Sequence, residues 1–455
     1  MNTQRSLSSI LQLATDLASG RTTSRALVED CLARIADPVG EGARAFIKTY
    51  DESSRAAADA VDRMRSAGIA SSPYAGIPVS IKDLFDVAGE TTPAGSRVLA
   101  DAAPASADAP VVARLRAAGL VVVGRTNMTE FAYSGLGLNP HYGTPRNPFD
   151  RATGRIPGGS SSGAAISVTD GMAVAGLGTD TGGSCRIPAA LTGTVGFKPT
   201  ACRIPLEGVL PLATSLDSVG SIASSVACCA IIDAILAGEP VLPRQAFPLT
   251  GLRLAVPQAL VMDDIDSSVA AAFARTVATL SKAGARVQDI ALKEFLELPA
   301  INAKGGFPAA EAYAWHRHLL AGKGSDYDPR VKVRIEKGTQ QSAADYIELC
   351  AARQDFIRRV DALSSPFDAL ILPTVPLVAP TIAELADDQE YGRVNLLMLR
   401  NPTVVNFLDG CAISIPCHTP GEAPVGLMIV GRHGEDHRLF SIALAVEKLL
   451  SESQS

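Results

Sequence analysis

Two segments of the chain combine serines with runs of glycine, a composition suited to nucleophilic chemistry at a carbonyl group. Residues 158–165 read GGSSSGAA, and residues 178–184 read GTDTGGS. The first segment opens a helical pattern, and the second follows a strand-like run at residues 173–177. A serine between a strand end and a helix is a common position for a nucleophile, and consecutive glycines let backbone N–H groups converge on one point. Such donors stabilise the negative charge that develops on an attacked carbonyl oxygen.

Other interpretations of the two segments remain open on this pattern alone. Gly/Ser-rich runs are often turns or linkers. A phosphate-binding loop is disfavoured because no Gly-Lys-Ser/Thr follows either run. Residues 159–163 also match the G-x-S-x-G nucleophile elbow, but that elbow needs a preceding apolar strand, and residues 153–157 read TGRIP.

A third chemical group stands in residues 76–83, GIPVSIKD. Apolar residues alternate here, so Ser80 and Lys82 share the opposite face of a predicted strand. A lysine at the end of such a strand either reaches solvent or, when partly buried, acts as a base. Burial lowers a lysine pKa from about 10.4 toward neutrality, and a drop of about three units corresponds to about 4 kcal/mol.

Short apolar runs alternate with helical patterns along most of the chain, which predicts an α/β fold with a buried, partly parallel sheet. The first seventy residues are predicted to be mainly helical, with Asp51 as an N-cap. The Pro-rich residues 238–249 are either a domain boundary or a long surface connection. We interpret the chain as one large domain over residues 1–455. The predicted strands lie at 77–82, 120–123, 173–177, 252–256, 369–372 and 425–430, and predicted helices include 110–118, 266–283 and 436–450.

The composition narrows the classes of protein to which the chain can belong. Hydrophobic residues make up 47% of the 455 residues, and the formal net charge is −6. A negatively charged chain without a basic cluster is not expected to bind nucleic acid through general electrostatics. Eight cysteines, none in a C-x-x-C motif, are too few for a disulfide scaffold and indicate a reducing, cytoplasmic setting.

No metal site, signal peptide or membrane span is expected. The six histidines show no ligand spacing such as H-E-x-x-H. Polar residues interrupt positions 1–20, so these residues lack the apolar stretch of a signal peptide. The apolar run at 226–237 contains Asp233 and is shorter than the ~20 residues that cross a bilayer.

Taken together, these segments resemble the amidase signature family. The resemblance is carried by residues 76–83, 158–165 and 178–189, and Ser160 and Ser184 are 24 positions apart, as in the family. Further matching strings are TNMTEFA at 126–132, NPHYGTPRNP at 139–148, GFKPT at 196–200 and PVGL at 424–427. The resemblance is densest over residues 74–220, and a more variable region at about 240–400 is expected to hold the substrate pocket. It implies a single domain whose mixed, twisted β-sheet is covered by α-helices on both faces.

The resemblance also implies a role for each reactive residue. Ser184 is the expected nucleophile, Ser160 is the bridging serine after a cis Gly159–Ser160 peptide bond, and Lys82 is the base. Neutral Lys82 takes a proton from Ser160, Ser160 takes one from Ser184, and Ser184 attacks an amide carbonyl to form an acyl-enzyme. No histidine and no cofactor is required. The expected oxyanion hole consists of the backbone N–H groups of Thr181, Gly182, Gly183 and Ser184.

Four further residues lie close to the serines in sequence. Ser162 stands where the family usually has glycine and adds a hydroxyl near the relay. Cys185 follows the nucleophile and is expected to be a packing residue. Asp180 and Arg186 flank the glycine loop and are expected to form a structural ion pair rather than to contact substrate.

The sequence says less about the substrate. A hydrophobic or aryl carboxamide is expected, because the residues near the site include no obvious clamp for a charged group. Arg330 and Arg334 offer an option for binding a carboxylate, although a solvated helix face is the preferred interpretation. The candidate pocket residues, whose large side chains fit core positions equally well, are Met128, Tyr133, Ser134, Phe307 and Trp315.

More than one function stays open at this point. The first is a stand-alone amidase, expected as a homodimer acting on a small-molecule amide. The second is the glutamine-amidase subunit of a tRNA-dependent amidotransferase, which releases ammonia to a partner protein. Hydrolysis of a urea-type amide such as biuret or allophanate is a further alternative. A non-catalytic family member is disfavoured by the intact set of Lys82, Ser160 and Ser184.

Overall fold

Eleven strands form one mixed β-sheet in the computed structural model, which describes residues 9–453 of the chain. The strands are β1 (Phe46–Thr49), β2 (Pro78–Lys82), β3 (Val121–Thr126), β4 (Ala175–Thr179), β5 (Val195–Lys198), β6 (Val219–Ala223), β7 (Arg253–Pro257), β8 (Arg286–Ile290), β9 (Ala369–Pro373), β10 (Cys411–Pro416) and β11 (Gly426–Gly431). Across the sheet they follow the order β1-β3-β2-β4-β6-β5-β10-β11-β9-β7-β8.

The sheet contains two parallel groups joined by antiparallel pairs. Strand β2 runs parallel to β3 and β4, and β7 runs parallel to β8 and β9. Between these groups, β4, β6, β5, β10, β11 and β9 pair antiparallel in that order. The predicted partly parallel sheet is therefore confirmed.

Fifteen α-helices surround the sheet in this part of the chain. They are α1 (Ile10–Ala18), α2 (Ser24–Ala36), α3 (Gly42–Ala45), α4 (Asp51–Ser66), α5 (Pro110–Ala117), α6 (Ser162–Thr169), α7 (Arg186–Thr192), α8 (Val226–Ala237), α9 (Ser267–Lys282), α10 (Leu298–Ile301), α11 (Gly306–Lys323), α12 (Pro329–Glu336), α13 (Ala343–Ser364), α14 (Asp388–Leu408) and α15 (Asp436–Ser453).

Both faces of the sheet are covered, as alternate residues of β11 show. Leu427 and Ile429 belong to the same apolar cluster as Phe440 of α15. Met428, which lies between them, belongs to a second cluster with Phe407 of α14. Because both faces are buried, the strands appear in the sequence as continuous apolar runs. The expected α/β fold with helices on both faces is confirmed.

Residues 238–249 connect α8 to β7 over the surface. None of these residues is buried, and they contain no helix or strand. The sheet continues across the connection, because β5 before it pairs with β10 after it. The segment is therefore a surface connection within one domain.

The structure shifts several predicted element boundaries, and the strand predicted at 173–177 is β4 at Ala175–Thr179. Tyr50, not Asp51, is the N-cap of α4, because its N–H still bonds to the Val123 carbonyl and the chain turns helical only at Asp51. The strand predicted at 120–123 extends to Thr126, because β3 is paired on both sides. The expectation for residues 1–20 falls partly on residues 1–8, which lie outside the described residues.

Candidate active site

Lys82 ends strand β2 with its side chain on the face covered by α6. Ser80, two residues earlier on the same face, lies 2.8 Å from Ser167 of that helix, hydroxyl to hydroxyl. The Lys82 Nζ lies 2.7 Å from Ser160 Oγ and 2.8 Å from Thr179 Oγ1. The predicted strand alternation therefore places the amine beside one of the two serines.

Burial sets the protonation of Lys82. The side chain is fully enclosed, and its two hydrogen-bond partners are hydroxyls rather than carboxylates. Burial lowers the pKa of Lys82 to about 8, although nearby acidic groups, among them Asp180 and Asp217, oppose the shift. Part of the amine is therefore neutral near physiological pH and can accept a proton.

Ser160 lies in the loop that precedes α6. Its peptide bond with Gly159 is cis, as the resemblance implies. The Gly159 N–H donates to the Gly135 carbonyl (2.8 Å), and the Ser160 carbonyl accepts the Thr129 N–H (3.1 Å). A Cβ on Gly159 would lie 2.5 Å from the Gly137 nitrogen, so only glycine permits this approach of the two backbones.

Ser184 lies in the loop between β4 and α7. The residue is only 3% exposed, and its carbonyl accepts the Ser161 N–H at 3.3 Å, so this loop contacts the loop of Ser160 directly. Gly183 has a φ of +121°, and a Cβ there would lie 2.5 Å from the Pro402 Cβ. The predicted order of strand, serine and helix is confirmed.

A fully buried ion pair braces this loop. The Arg186 Nη2 lies 2.8 Å from Asp180 Oδ1, and Nε lies 3.0 Å from Oδ2. The same carboxylate accepts the N–H groups of Gly183 and Cys185 and the Asn406 Nδ2. Burial opposes ionisation of Asp180, but the charge and hydrogen bonds of Arg186 outweigh it and hold the pKa of that carboxyl well below its usual range. The expected structural ion pair is confirmed.

The backbone N–H groups of the loop fall into two sets. The N–H of Gly183 donates to Asp180 at 2.8 Å and is therefore occupied within the loop. In the part of the chain that the structure describes, no hydrogen bond uses the N–H of Thr181, Gly182 or Ser184. Three of the four predicted donors thus remain available to a ligand.

One face of helix α14 contacts the loop of Ser184 and the segment of Ser134 and Gly135, which binds the loop of Ser160, and the sequence analysis missed it. Asn395, Leu399 and Thr403 are four positions apart and share a helix face. The Asn395 Oδ1 accepts the Ser134 hydroxyl (2.8 Å) and the Gly135 N–H (3.0 Å). The four-residue spacing was visible in the sequence, but nothing there pointed to serines more than 200 positions away.

The same helix contributes side chains that lie against the loop of Ser184. A Cβ built on Gly182 would lie 3.1 Å from Thr403 Oγ1 and 3.6 Å from Leu399 Cδ2. Leu399 also lies close to Gly135, beside the loop of Ser160. Helix α14 therefore presents an apolar side chain where a substrate would meet the loop.

The five predicted pocket residues lie in different surroundings. Met128 and Phe307 are enclosed in apolar clusters with almost no exposed surface. Ser134 is buried and contacts α14, and Tyr133 is partly buried. Trp315 is 37% exposed. Tyr133 and Ser134 thus directly precede Gly135, whose carbonyl binds the loop of Ser160.

Two arginines of α12, Arg330 and Arg334, flank Tyr391 at the start of α14. Their side chains therefore pack against another helix, whereas a solvated helix face was expected. The Arg330 guanidinium lies 4.3 Å and that of Arg334 5.3 Å from the centre of the Tyr391 ring. Arg330 forms an ion pair with Asp388 at 2.7 Å. Arg334 donates to the Tyr133 carbonyl (2.6 Å) and forms no ion pair with any described carboxylate. A cation without a charged partner therefore lies beside the predicted pocket.

Ser162 and Cys185 are both fully buried. Ser162 is the first residue of α6, and its hydroxyl lies 3.5 Å from the Asn127 carbonyl. Burial raises the pKa of the Cys185 thiol to about 12, which keeps it protonated and unreactive. Cys185 is buried, as expected of a packing residue.

Two kinds of feature are absent from residues 9–453. No three His, Cys, Asp or Glu side chains there are grouped so that they could hold a metal ion. No helix in this range combines the length and the apolar character needed to cross a membrane.

Comparison with known proteins decides the family. A family model described as Amidase matches residues 26–440, which is most of the chain. The chain belongs to the amidase signature family. A solved structure described as an amidase superposes on this amidase with a TM-score of 0.88 and 30% identity, covering 98% of this chain and 100% of that chain.

Two relatives show the range of activities around this amidase. A 2-amino-5-chloromuconic acid deaminase of Comamonas testosteroni is 39% identical over 413 residues, covering 90% of this chain and 89% of that protein. One subunit of the glutamyl-tRNA(Gln) amidotransferase of Chloroflexus aggregans is 33% identical, with 96% of this chain and 95% of that protein covered. The expected family, fold class and activity class are confirmed, and the amidase is a hydrolase of carbon–nitrogen amide bonds.

Proposed function

We propose that this amidase cleaves amides through a Lys82–Ser160–Ser184 relay in which Ser184 is the nucleophile. The observation that carries the proposal is the 2.7 Å contact between the buried Lys82 Nζ and Ser160 Oγ. The neighbouring Ser161 N–H binds the Ser184 carbonyl, so the two serines stand on adjoining loops. Since burial brings the pKa of Lys82 to about 8, its amine can serve as the final proton acceptor.

The reaction proceeds in two stages. Ser160 passes its proton to neutral Lys82 and accepts that of Ser184, while Ser184 Oγ attacks the amide carbonyl carbon. The relay returns a proton to the leaving nitrogen as the C–N bond breaks, which leaves an acyl ester on Ser184. Water then attacks this ester, the relay takes up its proton and returns it to Ser184, and the acid is released.

Three backbone N–H groups stabilise the oxyanion that forms in each stage. These are the N–H groups of Thr181, Gly182 and Ser184, while that of Gly183 stays with Asp180. Loss of one such donor typically costs about 3 kcal/mol of transition-state stabilisation. Asp180 and Arg186 act by holding the loop in place and do not contact the substrate.

The substrate is a small amide that combines a hydrophobic or aryl body with a carboxylate. Leu399 offers apolar surface next to Gly182, which suits the hydrophobic body. Arg334 provides a cation that no described carboxylate neutralises, close to Tyr133. The relative from Comamonas testosteroni is named for activity on an acid, which supports an anionic substrate.

A hydrolysis screen tests the nucleophile and the substrate class together. Benzamide, 4-carboxybenzamide, propionamide, an anilide, biuret and glutamine are offered to wild type and to Ser184→Ala, and released ammonia or aniline is measured. We expect 4-carboxybenzamide to be cleaved fastest and Ser184→Ala to be inactive. Activity that survives in Ser184→Ala would show that another residue is the nucleophile.

The substitution Arg334→Met tests whether this arginine binds the carboxylate of the substrate. A charged hydrogen bond contributes about 1.5–3 kcal/mol, so KM for 4-carboxybenzamide should rise about tenfold or more, with KM for benzamide nearly unchanged. Arg330→Met is the matched control, because Arg330 already pairs with Asp388. Equal effects on both substrates would place the carboxylate elsewhere.

The glutamine-amidase subunit of an amidotransferase is the second candidate function. It is supported by the 33% identity with the Chloroflexus aggregans protein over nearly the whole of both chains. In that case glutamine is the amide that is cleaved, and a second protein consumes the ammonia. Glutaminase activity together with a co-purifying partner protein would favour this function over the first.

We also propose that the enzyme works in the cytoplasm as a homodimer of single-domain chains. All eight cysteines are free, which suits a reducing compartment. The support for the dimer is the resemblance to the family. Light scattering on the purified enzyme distinguishes a mass twice that of the chain from a monomer.

A further inference from the structure

Asp217 is a buried acid beside the nucleophile loop that the proposed relay does not use. Its Oδ1 accepts the Thr181 hydroxyl at 2.5 Å. Its Oδ2 accepts the N–H groups of Leu212 (3.0 Å) and Ala213 (3.1 Å). All three donors are neutral groups, so the carboxylate is held by hydrogen bonds without a directly bound cation.

The next residue strengthens the link between the two segments. The Asp180 N–H donates to the Ser218 carbonyl (2.8 Å), and the Ser218 hydroxyl donates to the Asp180 carbonyl (2.9 Å). Asp217 and Ser218 thus hold Asp180 and Thr181 by three hydrogen bonds, just beyond the last pair of the β4–β6 ladder. The start of the nucleophile loop is therefore fixed from the side of β6.

We propose that Asp217 is a positioning residue that, in its ionised form, orients Thr181 and the adjoining oxyanion-hole N–H groups through the Thr181 hydroxyl. This inference rests on the proposed function, in which Thr181 and Gly182 supply two of the three donors. A hydroxyl directed at a carboxylate fixes the Thr181 rotamer, which restrains the backbone that carries these N–H groups. Donors that do not reorient during the reaction stabilise the developing charge most effectively.

The ionisation state matters because only the carboxylate accepts from all three donors at once. A protonated carboxyl has one oxygen that donates, so it competes with the Thr181 hydroxyl for the same contact. Burial raises the pKa of Asp217 to about 6, opposed by its hydrogen bonds from Thr181, Leu212 and Ala213 and aided by the charge of Glu311. The contact with Thr181 is therefore weakened as the pH falls below about 6.

Charged groups from the surrounding elements lie around Asp217 and around the neighbouring residues Thr214 and Ser215. Glu311 of α11 binds the Thr214 hydroxyl and the Ser215 N–H. Arg353 of α13 donates to the Ser215 carbonyl. Lys82 of β2 also interacts electrostatically with Asp217. Burial lowers the pKa of the Lys82 amine, and the negative charge of Asp217 raises it by a smaller amount. Removing the Asp217 charge should therefore change the titration of Lys82 as well as the loop.

The test measures how fast an alkyl fluorophosphonate labels Ser184 in wild type, Asp217→Asn, Thr181→Val and the double variant. In the labelling step Ser184 Oγ bonds to phosphorus, the P–F bond breaks, fluoride leaves with the electron pair, and the relay takes the serine proton. The rate reports on the oxyanion donors without knowledge of the natural substrate. We expect each single variant to be about tenfold to hundredfold slower. The double variant should be about as slow as the slower single variant, since both substitutions act on the same Thr181–Asp217 contact.

Two further variants serve as controls. Thr181→Ser keeps the hydroxyl and is expected to recover most of the rate lost in Thr181→Val. Thr200→Val removes a similar buried threonine–aspartate contact, Thr200 Oγ1 to Asp436 at 2.7 Å, outside the site, and is expected to label at the wild-type rate. Every variant is measured well below its own melting temperature.

The pH dependence of labelling separates positioning from packing. In Asp217→Asn, the rise of the rate with pH should shift to lower pH, because the Lys82 amine loses a neighbouring negative charge. The steeper fall below about pH 6 in wild type should disappear. Unchanged rates in the single variants, multiplicative losses in the double variant, or an unshifted profile would each overturn the proposal. Labelling of Ser184→Ala at the wild-type rate would instead overturn the proposed function itself.

Discussion

At the scale of single residues, the site depends on charges that burial alters. Lys82 is enclosed beside two hydroxyls, and burial lowers its pKa from 10.5 to about 8. This shift corresponds to about 3 kcal/mol in favour of the neutral amine. Asp180, in contrast, is kept ionised by Arg186 in the same interior. One buried group is thus prepared to accept a proton, and the other holds its charge to brace the loop.

The pH dependence of amide hydrolysis follows from Lys82. In the proposed relay the neutral amine is the base, so kcat/KM should rise about tenfold per pH unit up to about pH 8 and level off above it. The measurement is the initial rate on the best amide of the screen between pH 5 and 10. A rate that stays constant between pH 6 and 8 would contradict the role of Lys82 as the base.

The Asp180–Arg186 pair gives a prediction about stability. Arg186→Met leaves the buried carboxylate without its partner, so the free energy of unfolding should fall by about 3–5 kcal/mol. Urea unfolding at pH 7 measures the loss. The control is Asp180→Asn combined with Arg186→Met, which removes the buried charge and should recover part of the stability. No difference between the single and the double variant would argue against an uncompensated charge as the cause.

At the scale of elements, helix α6 approaches the sheet and α3 so closely that glycine is required. A Cβ on Gly163 would lie 2.3 Å from the Ala45 carbonyl oxygen and 2.6 Å from the Asn127 nitrogen. Both are backbone atoms, which move only if whole segments shift. The close approach brings the loop of Ser160 to the end of β2, where the Ser160 hydroxyl contacts Lys82.

Gly163→Ala should therefore be strongly destabilising, by about 3 kcal/mol, because overpacking against backbone forces the elements apart. The matched control is Gly322→Ala in α11, where a Cβ meets no atom within 4 Å. That change should stabilise the enzyme by about 0.5–1 kcal/mol through helix propensity. Urea unfolding of both variants tests the pair, and similar effects of the two substitutions would contradict the packing argument.

Much of the element pattern was predictable from local sequence, and the contacts of one element were not. The strand ending at Lys82 and the helix beginning at Asp436 follow from apolar periodicity and lie where predicted. Helix α14 has no such local signature of its role, since Asn395 meets Ser134 and Leu399 meets the loop of Ser184 only after the sheet has closed. Contacts over such separations are set by strand order, which periodicity does not encode.

At the scale of the whole molecule, the site is assembled from two parts of the chain. The serines and Lys82 come from the chain before residue 238, whereas α12 and α14 come from the chain after it. The two parts are held together by the β5–β10 pairing and by apolar clusters on both faces. The order of the eleven strands could not be predicted, because the pairs that unite the two parts lie far apart in sequence.

A nick in the surface connection tests this organisation. A protease site inserted within residues 238–249, where no residue is buried, should be cleaved in the native enzyme. The fragments should then co-elute in size-exclusion chromatography and keep most of the amidase activity, because strand pairing and the shared clusters remain. Separation of the fragments without denaturant would contradict the single-domain description.

The most direct test of the relay is to locate the adduct formed by a fluorophosphonate. Wild type is labelled at several pH values, digested, and analysed by peptide mass spectrometry, with Lys82→Ala, Ser160→Ala and Ser184→Ala in parallel. The relay predicts an adduct on Ser184 whose rate of formation rises toward pH 8, a much slower reaction in Lys82→Ala and Ser160→Ala, and none in Ser184→Ala. An adduct on Cys185 or on any residue other than Ser184, or a rate unaffected by loss of Lys82, would contradict it.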